Sequence, residues 1–345
     1  MSDTVLSYGG YYSTGGSVVR DILRETEPRI DFATEFRILK EKGGLFDLYH
    51  TICEHYAPEN LSLALNEFEW LMNNFAKPGG FLRKTGFNYQ RLSGGTFLPA
   101  TKKFIADLID FTYPMSWHYQ RFQANYFKDV SWQVQDRFLT RDRRKKMGRF
   151  NAPIVTATKV QVEEKFALYL EEIIRGIRAE MGLDAGLPLG LHNSVPPFSN
   201  NLIDLSKKFL PNLKLIITDR DPRDIYLNYR KDSYSRYIQN YGSSDERVRS
   251  FCRFYRSLRV EKSEVVRRPD TLFFNFEDIC LSPDQHIPRL LEFIDIDPDR
   301  HINKGKVFNP SASIKNIGMW KDLDRESERD VCIIADELGE YLYEY

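Results

Sequence analysis

The sequence predicts an α/β fold: a central parallel sheet flanked by helices in three layers, with a mainly helical insertion at about residues 47–150. Three observations predict it. Short apolar runs alternate with amphipathic stretches at the start of the chain and again from residue 152. The first run, VLSYGG, passes through a Gly-rich loop straight into helical spacing. A later run, LKLIITD, reads as a buried strand that stops abruptly in the charged turn RDPRD.

In chain order, VLSYGG is a short buried strand, and SVVRDILRE places Val18, Ile22 and Leu23 on one helical face. RIDFATEF alternates as a second strand ending near Glu35. From about Asp47 to Arg149 the pattern is helical, clearest in ENLSLALNEFEWLMNNF and PATKKFIADLIDF, with loops at KPGGF and LSGGTF. APIVTATK reads as a strand of the sheet ending at Lys159, followed by a long amphipathic helix that Gly182 ends. LPLGLH, LKLIITD and TLFFNF supply further strands; NNLIDLSKKFL, PRLLEFIDI and RESERDVCIIADELGEYLYEY supply helices. No repeat, low-complexity tract or linker divides the chain, so one domain over residues 1–345 carrying the insertion is expected.

The 345 residues allow a sizeable core, and 42% apolar with 28% charged residues is ordinary globular composition. A net charge of zero argues against general nucleic-acid binding but leaves room for a local pocket for a small polyanion. Cys53, Cys252, Cys280 and Cys332 form no C-x-x-C pair, so no metal site is expected and the thiols read as reduced. MSDTVLSYGG has neither a basic start nor a long apolar run, and no window approaches a membrane span; a cytoplasmic protein is the expectation. Aromatics reach 14%, and Trp70, Trp117, Trp132, Tyr113, Tyr119 and Tyr126 in the insertion suit either a core or a ring-stacking pocket. The charge run Arg141 to Arg149 reads as a solvated loop.

GYYSTGGS, Gly10 to Ser17, has the strand–loop–helix context that makes the fold P-loop-like, but Gly16 stands where a nucleotide-binding loop carries Lys. Such a turn still turns several N–H groups toward one concavity, and Gly15 and Gly16 allow close approach by an oxyanion. Ser13, Thr14 and Ser17 add hydroxyls. The same residues also suit an ordinary tight strand-to-helix turn. At the end of LKLIITD, Arg220 can take phosphate oxygens bidentately and Asn228, on the following helix, can add an amide. Alternatively Arg220, Asp221, Arg223 and Asp224 form a salt-bridge cluster.

LIITDRDPRDIYLNYR resembles the 3′-phosphate motif of sulfotransferases that use 3′-phosphoadenosine 5′-phosphosulfate, with Asn228 at the family's Ser position. STGGS resembles the family's 5′-phosphosulfate loop, with Ser13 where a Lys or Arg belongs. TLFFNFEDICLSPDQHIPRLLEFIDI and PSASIKNIGMWKD resemble its later segments, and all four stretches occur in the family's order. The resemblance covers both ends of the chain and leaves the insertion unmatched. It implies cofactor contacts from Ser13, Thr14, Gly15, Gly16, Ser17, Val18, Arg220, Asn228, Lys315, Asn316, Trp320 and Lys321. It implies transfer of a sulfuryl group to an acceptor hydroxyl or amine without metal. Glu35 is the favoured base and His192 the alternative; a salt bridge with Arg37 and a capping or core role are their structural readings. Lys159 is the candidate for the missing cation, or else a solvated strand end. The resemblance leans to the carbohydrate and heparan-type branch, so a carbohydrate or glycolipid acceptor is expected. Two rivals stand: a kinase or NTPase that has lost its lysine, and a sulfotransferase-like protein that binds without turnover.

Overall fold

The structure is a computed structural model; it describes residues 4–80, 83–115, 126–134, 150–231, 244–321, 323 and 325–344. The charge run at 141–149 lies outside the described residues, as do Trp117 and Tyr119 and the side chains of Tyr126 and Trp132. The chain forms two compact units, Met1–Leu39 with Ile177–Tyr345, and Lys40–Gly176.

The first unit holds five parallel strands flanked by helices. In chain order they are β1 (Val5–Gly10), β2 (Asp31–Glu35), β3 (Leu189–His192), β4 (Leu213–Asp219) and β5 (Thr271–Asn275). Their order across the sheet is β2-β3-β1-β4-β5. β1 is central and completely flanked, so its VLSY segment is buried on both faces. The chain leaves β1 toward one edge and later returns to its other side through β4. The carboxyl end of β1 is therefore a topological switch point, where open α/β sheets form their ligand crevice.

The helices are α1 (Ser17–Leu23), α2 (Asn200–Phe209), α3 (Pro222–Lys231), α4 (Ser244–Ser257), α5 (Lys262–Val266), α6 (Phe276–Leu281), α7 (Pro283–Phe293), α8 (Pro310–Ile314) and α9 (Arg325–Glu337). α1 is short but anchored: Val18, Val19, Ile22 and Leu23 are all buried. Just beyond it, the buried Glu25 takes three donors. Its carboxylate accepts from the Val307 amide at 2.9 Å, the Phe308 amide at 2.8 Å and pairs with His301 Nε2 at 2.8 Å. That clip ties the end of the loop helix to the stretch leading into α8.

The second unit is built on the helices Leu45–Cys53, Pro58–Ala76 and Phe97–Leu108 and the greater part of the helix Lys159–Met181. Its aromatic wealth is largely core. Phe104 stacks on Tyr169 at 4.4 Å, Phe68 meets both, and the Tyr169 hydroxyl bonds Thr101 at 2.9 Å. Trp70 and Tyr113 are instead exposed. One expectation needs correction. The strand in APIVTATK, Phe150–Ile154, pairs antiparallel with Phe111–Met115 in a separate two-stranded sheet, not in the parallel one. Nor does it reach Lys159. The Asp110 carboxylate takes the Thr156 amide and hydroxyl, and Gln161 takes the Thr158 amide, so the chain turns before the helix opens at Lys159.

Removing the Glu25 carboxylate would leave the Phe308 amide and the His301 imidazole buried without their acceptor and would free the more exposed Val307 amide. Glu25→Ala is expected to lower the unfolding free energy by about 3–5 kcal/mol, measured as a lower urea midpoint with an unchanged m-value.

Candidate functional site

The loop Tyr11–Gly16 leaves β1 at the switch point. Tyr12 and Ser13 both have positive φ, 63° and 53°, and Gly15 has φ 87°. Two successive non-glycine residues in the left-handed region cost backbone strain, which is held here by side-chain contacts. The Tyr11 amide donates to Thr14 Oγ1 at 3.2 Å. Ser13 acts on the Tyr229 hydroxyl of α3, lowering its pKa against the rise that burial causes. Tyr12 packs its ring against Phe198 and Phe254. The Thr14 hydroxyl is buried inside the turn, and the Val18 amide is spent on the Gly15 carbonyl at 2.9 Å. The backbone amides of Gly15, Gly16 and Ser17, like those of Tyr12, Ser13 and Thr14, donate to no described residue, so they are open to an acceptor.

The glycines are needed for approach. A Cβ on Gly15 would strike the Phe276 ring, and one on Gly9 would strike the Asn193 side chain. The Arg220 guanidinium lies 4.9 Å from the centre of that same Phe276 ring. Gly15 and Arg220, from sequence segments about 200 residues apart, thus share one aromatic wall.

Arg220 is 5% exposed. Its Nη2 donates to the Asn316 carbonyl, and the Asn228 side-chain oxygen accepts from Nη1. Its Nε is buried with no described partner. Burial pushes the guanidinium below its usual pKa, against the pull of Asp224 and Glu277. A buried guanidinium with a donor left over can take a further acceptor. The neighbouring acids are occupied elsewhere. Asp221 holds Arg223 bidentately and accepts the Tyr343 amide. Asp224 accepts the Gly318 and Met319 amides, both at 2.8 Å, and so fixes the C-terminal stretch that carries Asn316. Burial raises the Asp224 carboxyl above the ordinary range in spite of those amides. Arg223 covers Trp320 at 3.8 Å. Lys315 and Lys321 lie exposed on the same stretch.

Glu277 is fully buried and accepts the Asp221 amide at 3.0 Å. Burial pushes its carboxyl up to about 7.

At the other side of β1, Glu35 and His192 are cross-strand neighbours. The two candidate bases are therefore adjacent, with His192 Nδ1 4.0 Å from Glu35 Oε1. Arg37 donates to Glu35 Oε2 and Asn193 to Glu35 Oε1, both at 2.9 Å. The His192 ring stacks on Tyr8 at 5.1 Å. Asn193 has φ 52°, gives its amide to Tyr8 and presses on Gly9, so it links the carboxylate to the root of the loop.

Lys159 belongs to the second unit, where its ammonium lies 5.6 Å over the Tyr49 ring. Sequence reasoning missed Asn193, Phe276, Tyr229 and, at the end of β4, Arg259 and Lys262. Both cations bind Asp219: Arg259 through Nε at 3.0 Å and Nη2 at 2.5 Å, Lys262 at 2.7 Å. Burial alone would raise Asp219, but Arg259 and Lys262 hold its carboxyl below the ordinary carboxylate range.

No protein-family model matches the sequence, and no curated protein matches it. Among solved structures, the chain is similar to a sulfotransferase domain from the curacin biosynthetic pathway, at 10% identity and TM-score 0.45 over 98% of both chains. It is similar to sulfotransferase STF9 from Mycobacterium avium at 12% identity and TM-score 0.40, over 99% of this chain and 76% of that one. It is also similar to a sulfotransferase from Alicyclobacillus acidocaldarius at 11% identity and TM-score 0.36, over 95% of this chain and all of that one. Among the described residues, no helix is long and apolar enough to cross a membrane.

Glu277 gives a stability test. Its folded carboxyl lies near 7 against an ordinary 4.5, so the folded state favours the protonated form. That contribution is complete below about pH 4.5 and disappears as pH rises through about 7, a loss on the order of 3 kcal/mol. Glu277→Gln, neutral at every pH, is expected to flatten the fall in stability across this window in urea titrations at a series of pH values.

Proposed function

We propose that the protein transfers a sulfuryl group from 3′-phosphoadenosine 5′-phosphosulfate to an acceptor hydroxyl or amine. One observation carries the reading: a Gly-rich loop and a buried arginine with an unused donor meet at the Phe276 ring. That arrangement suits a ligand with two anionic ends, one for the amides of Gly15, Gly16 and Ser17 and one for Arg220. When bound, the phosphosulfate supplies an activated sulfuryl group and a phosphate leaving group. The loop amides stabilise charge that grows on the bridging oxygen. Glu35, oriented by Arg37 and Asn193, takes the acceptor proton. The acceptor oxygen then bonds to sulfur as the bond from sulfur to the bridging oxygen breaks, its electron pair leaving with the phosphate. Val18 contributes packing rather than an amide, and Asn228 acts through Arg220.

Against a lysine-less kinase or NTPase stands Asp219. That chemistry uses an acid at the end of a core strand for magnesium, and here both Asp219 oxygens are engaged by Arg259 and Lys262. A carbohydrate or glycolipid acceptor is carried over from the family resemblance and is proposed on that ground.

Calorimetric titration with adenosine 3′,5′-bisphosphate, beside 5′-AMP and ATP with magnesium, tests the cofactor. The bisphosphate is expected to bind at least about a hundredfold more tightly than 5′-AMP, with Arg220→Ala abolishing the difference. Preference for ATP with magnesium, or indifference to the 3′-phosphate, would refute the reading. Glu35→Gln is expected to lower kcat by about 10²–10⁴-fold and leave bisphosphate affinity unchanged. Equal nucleotide binding in both forms with no transfer by the unmodified protein would favour a binding protein instead.

A further inference from the structure

We propose that the positive charge missing from the loop is supplied from beneath it, by Lys262 acting together with Arg259 on Asp219. The inference rests on reading the loop as the 5′-phosphosulfate site. β1 and β4 are paired along their whole length, with Gly10 beside Thr218, so Asp219 ends its strand next to the point where the loop begins. The first loop residue, Tyr11, lays its ring over the Arg259 guanidinium at 4.5 Å, and Tyr255 covers the other contact at 3.4 Å. Arg259 also acts electrostatically on Tyr229 of α3. Ser13 is the position at which the loop lacks its cation. Two cations share the one carboxylate of Asp219, so these three groups together carry a net positive charge.

The two cations have separate tasks. Arg259 is buried and its pairing with Asp219 is bidentate, so together they form a neutral, rigid floor under Tyr11. Lys262 is about a quarter exposed and carries the surplus charge. Other cations of this unit are placed differently: Arg20 on α1 sits 3.5 Å from Asp21, and Lys315 and Lys321 lie exposed on the C-terminal stretch. Lys262 is thus a positioning residue for charge: it acts on the bound anion through the field of the cluster. No direct contact with the ligand is required.

Removing Arg259 would strand a buried carboxylate, so Lys262 is the residue to change. Lys262→Met keeps the Asp219–Arg259 pair and neutralises the cluster; Lys262→Arg restores the charge. The readout is affinity by calorimetry for adenosine 3′-monophosphate and adenosine 3′,5′-bisphosphate, whose ratio isolates the 5′-phosphate. Lys262→Met is expected to shrink that ratio about five- to tenfold, the effect of one partly screened charge. Affinity for the 3′-monophosphate should stay within about twofold, and Lys262→Arg should recover the ratio. A ratio unchanged in Lys262→Met, or an equal loss for both ligands, overturns the proposal and leaves the cofactor reading intact. Absence of any 3′-phosphate dependence in the unmodified protein overturns both.

Discussion

The site depends on burying charge at the carboxyl end of β4. Asp219, Arg220, Asp221, Arg223 and Asp224 are all less than a tenth exposed, within six consecutive residues. Ionised groups out of water are costly unless each is paired and hydrogen-bonded. Here the partners come from far along the chain: Arg259 and Lys262 for Asp219, the Tyr343 amide for Asp221, the Gly318 and Met319 amides for Asp224. Satisfying this one turn therefore fixes α5, the C-terminal stretch and the chain end around it. Arg220 packs on the same Phe276 ring as the loop and has a donor unspent. Arg220 Nε and Glu277 Oε2 are the two buried polar atoms of this cluster with no described partner, and the proposed ligand would supply an acceptor to the first.

Much of this was legible in the sequence, for identifiable reasons. VLSYGG, LKLIITD and TLFFN are short apolar runs cut off by loop residues, and burial between neighbouring strands leaves little else for them to be. The strand–loop–helix turn and the arginine at the end of LKLIITD were legible because a backbone conformation and one residue type mark them. APIVTATK shows the limit. A run of that length has the same composition in a buried parallel sheet and in an antiparallel ladder, and nothing in it names its partner Phe111–Met115. Lys159 was misplaced with it. Arg259 and Lys262 were illegible for a different reason: 40 and 43 residues separate them from Asp219, and SLRVEKSE reads as an ordinary polar helix end. Asn193 sits in the left-handed region that Asn tolerates, so its residue type is consistent with its backbone. Its contact with Glu35, though, exists only once β2 and β3 pair.

Glu35 and His192 illustrate how two separate candidates become one arrangement. Pairing of β2 with β3 brings them side by side, and Asn193 then ties the carboxylate to the root of the loop. Arg37 on one oxygen and Asn193 on the other leave the carboxylate oriented, which is what a base that must meet an incoming hydroxyl requires. The stack of His192 on Tyr8, itself bonded to the buried Asp31, holds the imidazole to the sheet. On the proposed reading, with Glu35 as base, that places His192 as its neighbour on the sheet.

A floor of buried charge and a loop lysine are different solutions to one electrostatic problem. A lysine in the loop reaches the anion directly, but about 2 kcal/mol of side-chain entropy must be given up when it is fixed there. A cation beneath the loop makes no direct contact and so acts more weakly. It is already fixed before the ligand arrives, with Tyr11 and Tyr255 packed over Arg259 and Asp219 holding both cations. Such a field needs no rearrangement as charge develops on the bridging oxygen, the condition under which electrostatic stabilisation is most effective. The cost is desolvation, and it is offset within the cluster because each cation shares the same carboxylate. On this argument the serine at position 13 is a consequence, not a defect: with the charge below, the loop itself needs only amides and room for an anion to approach them.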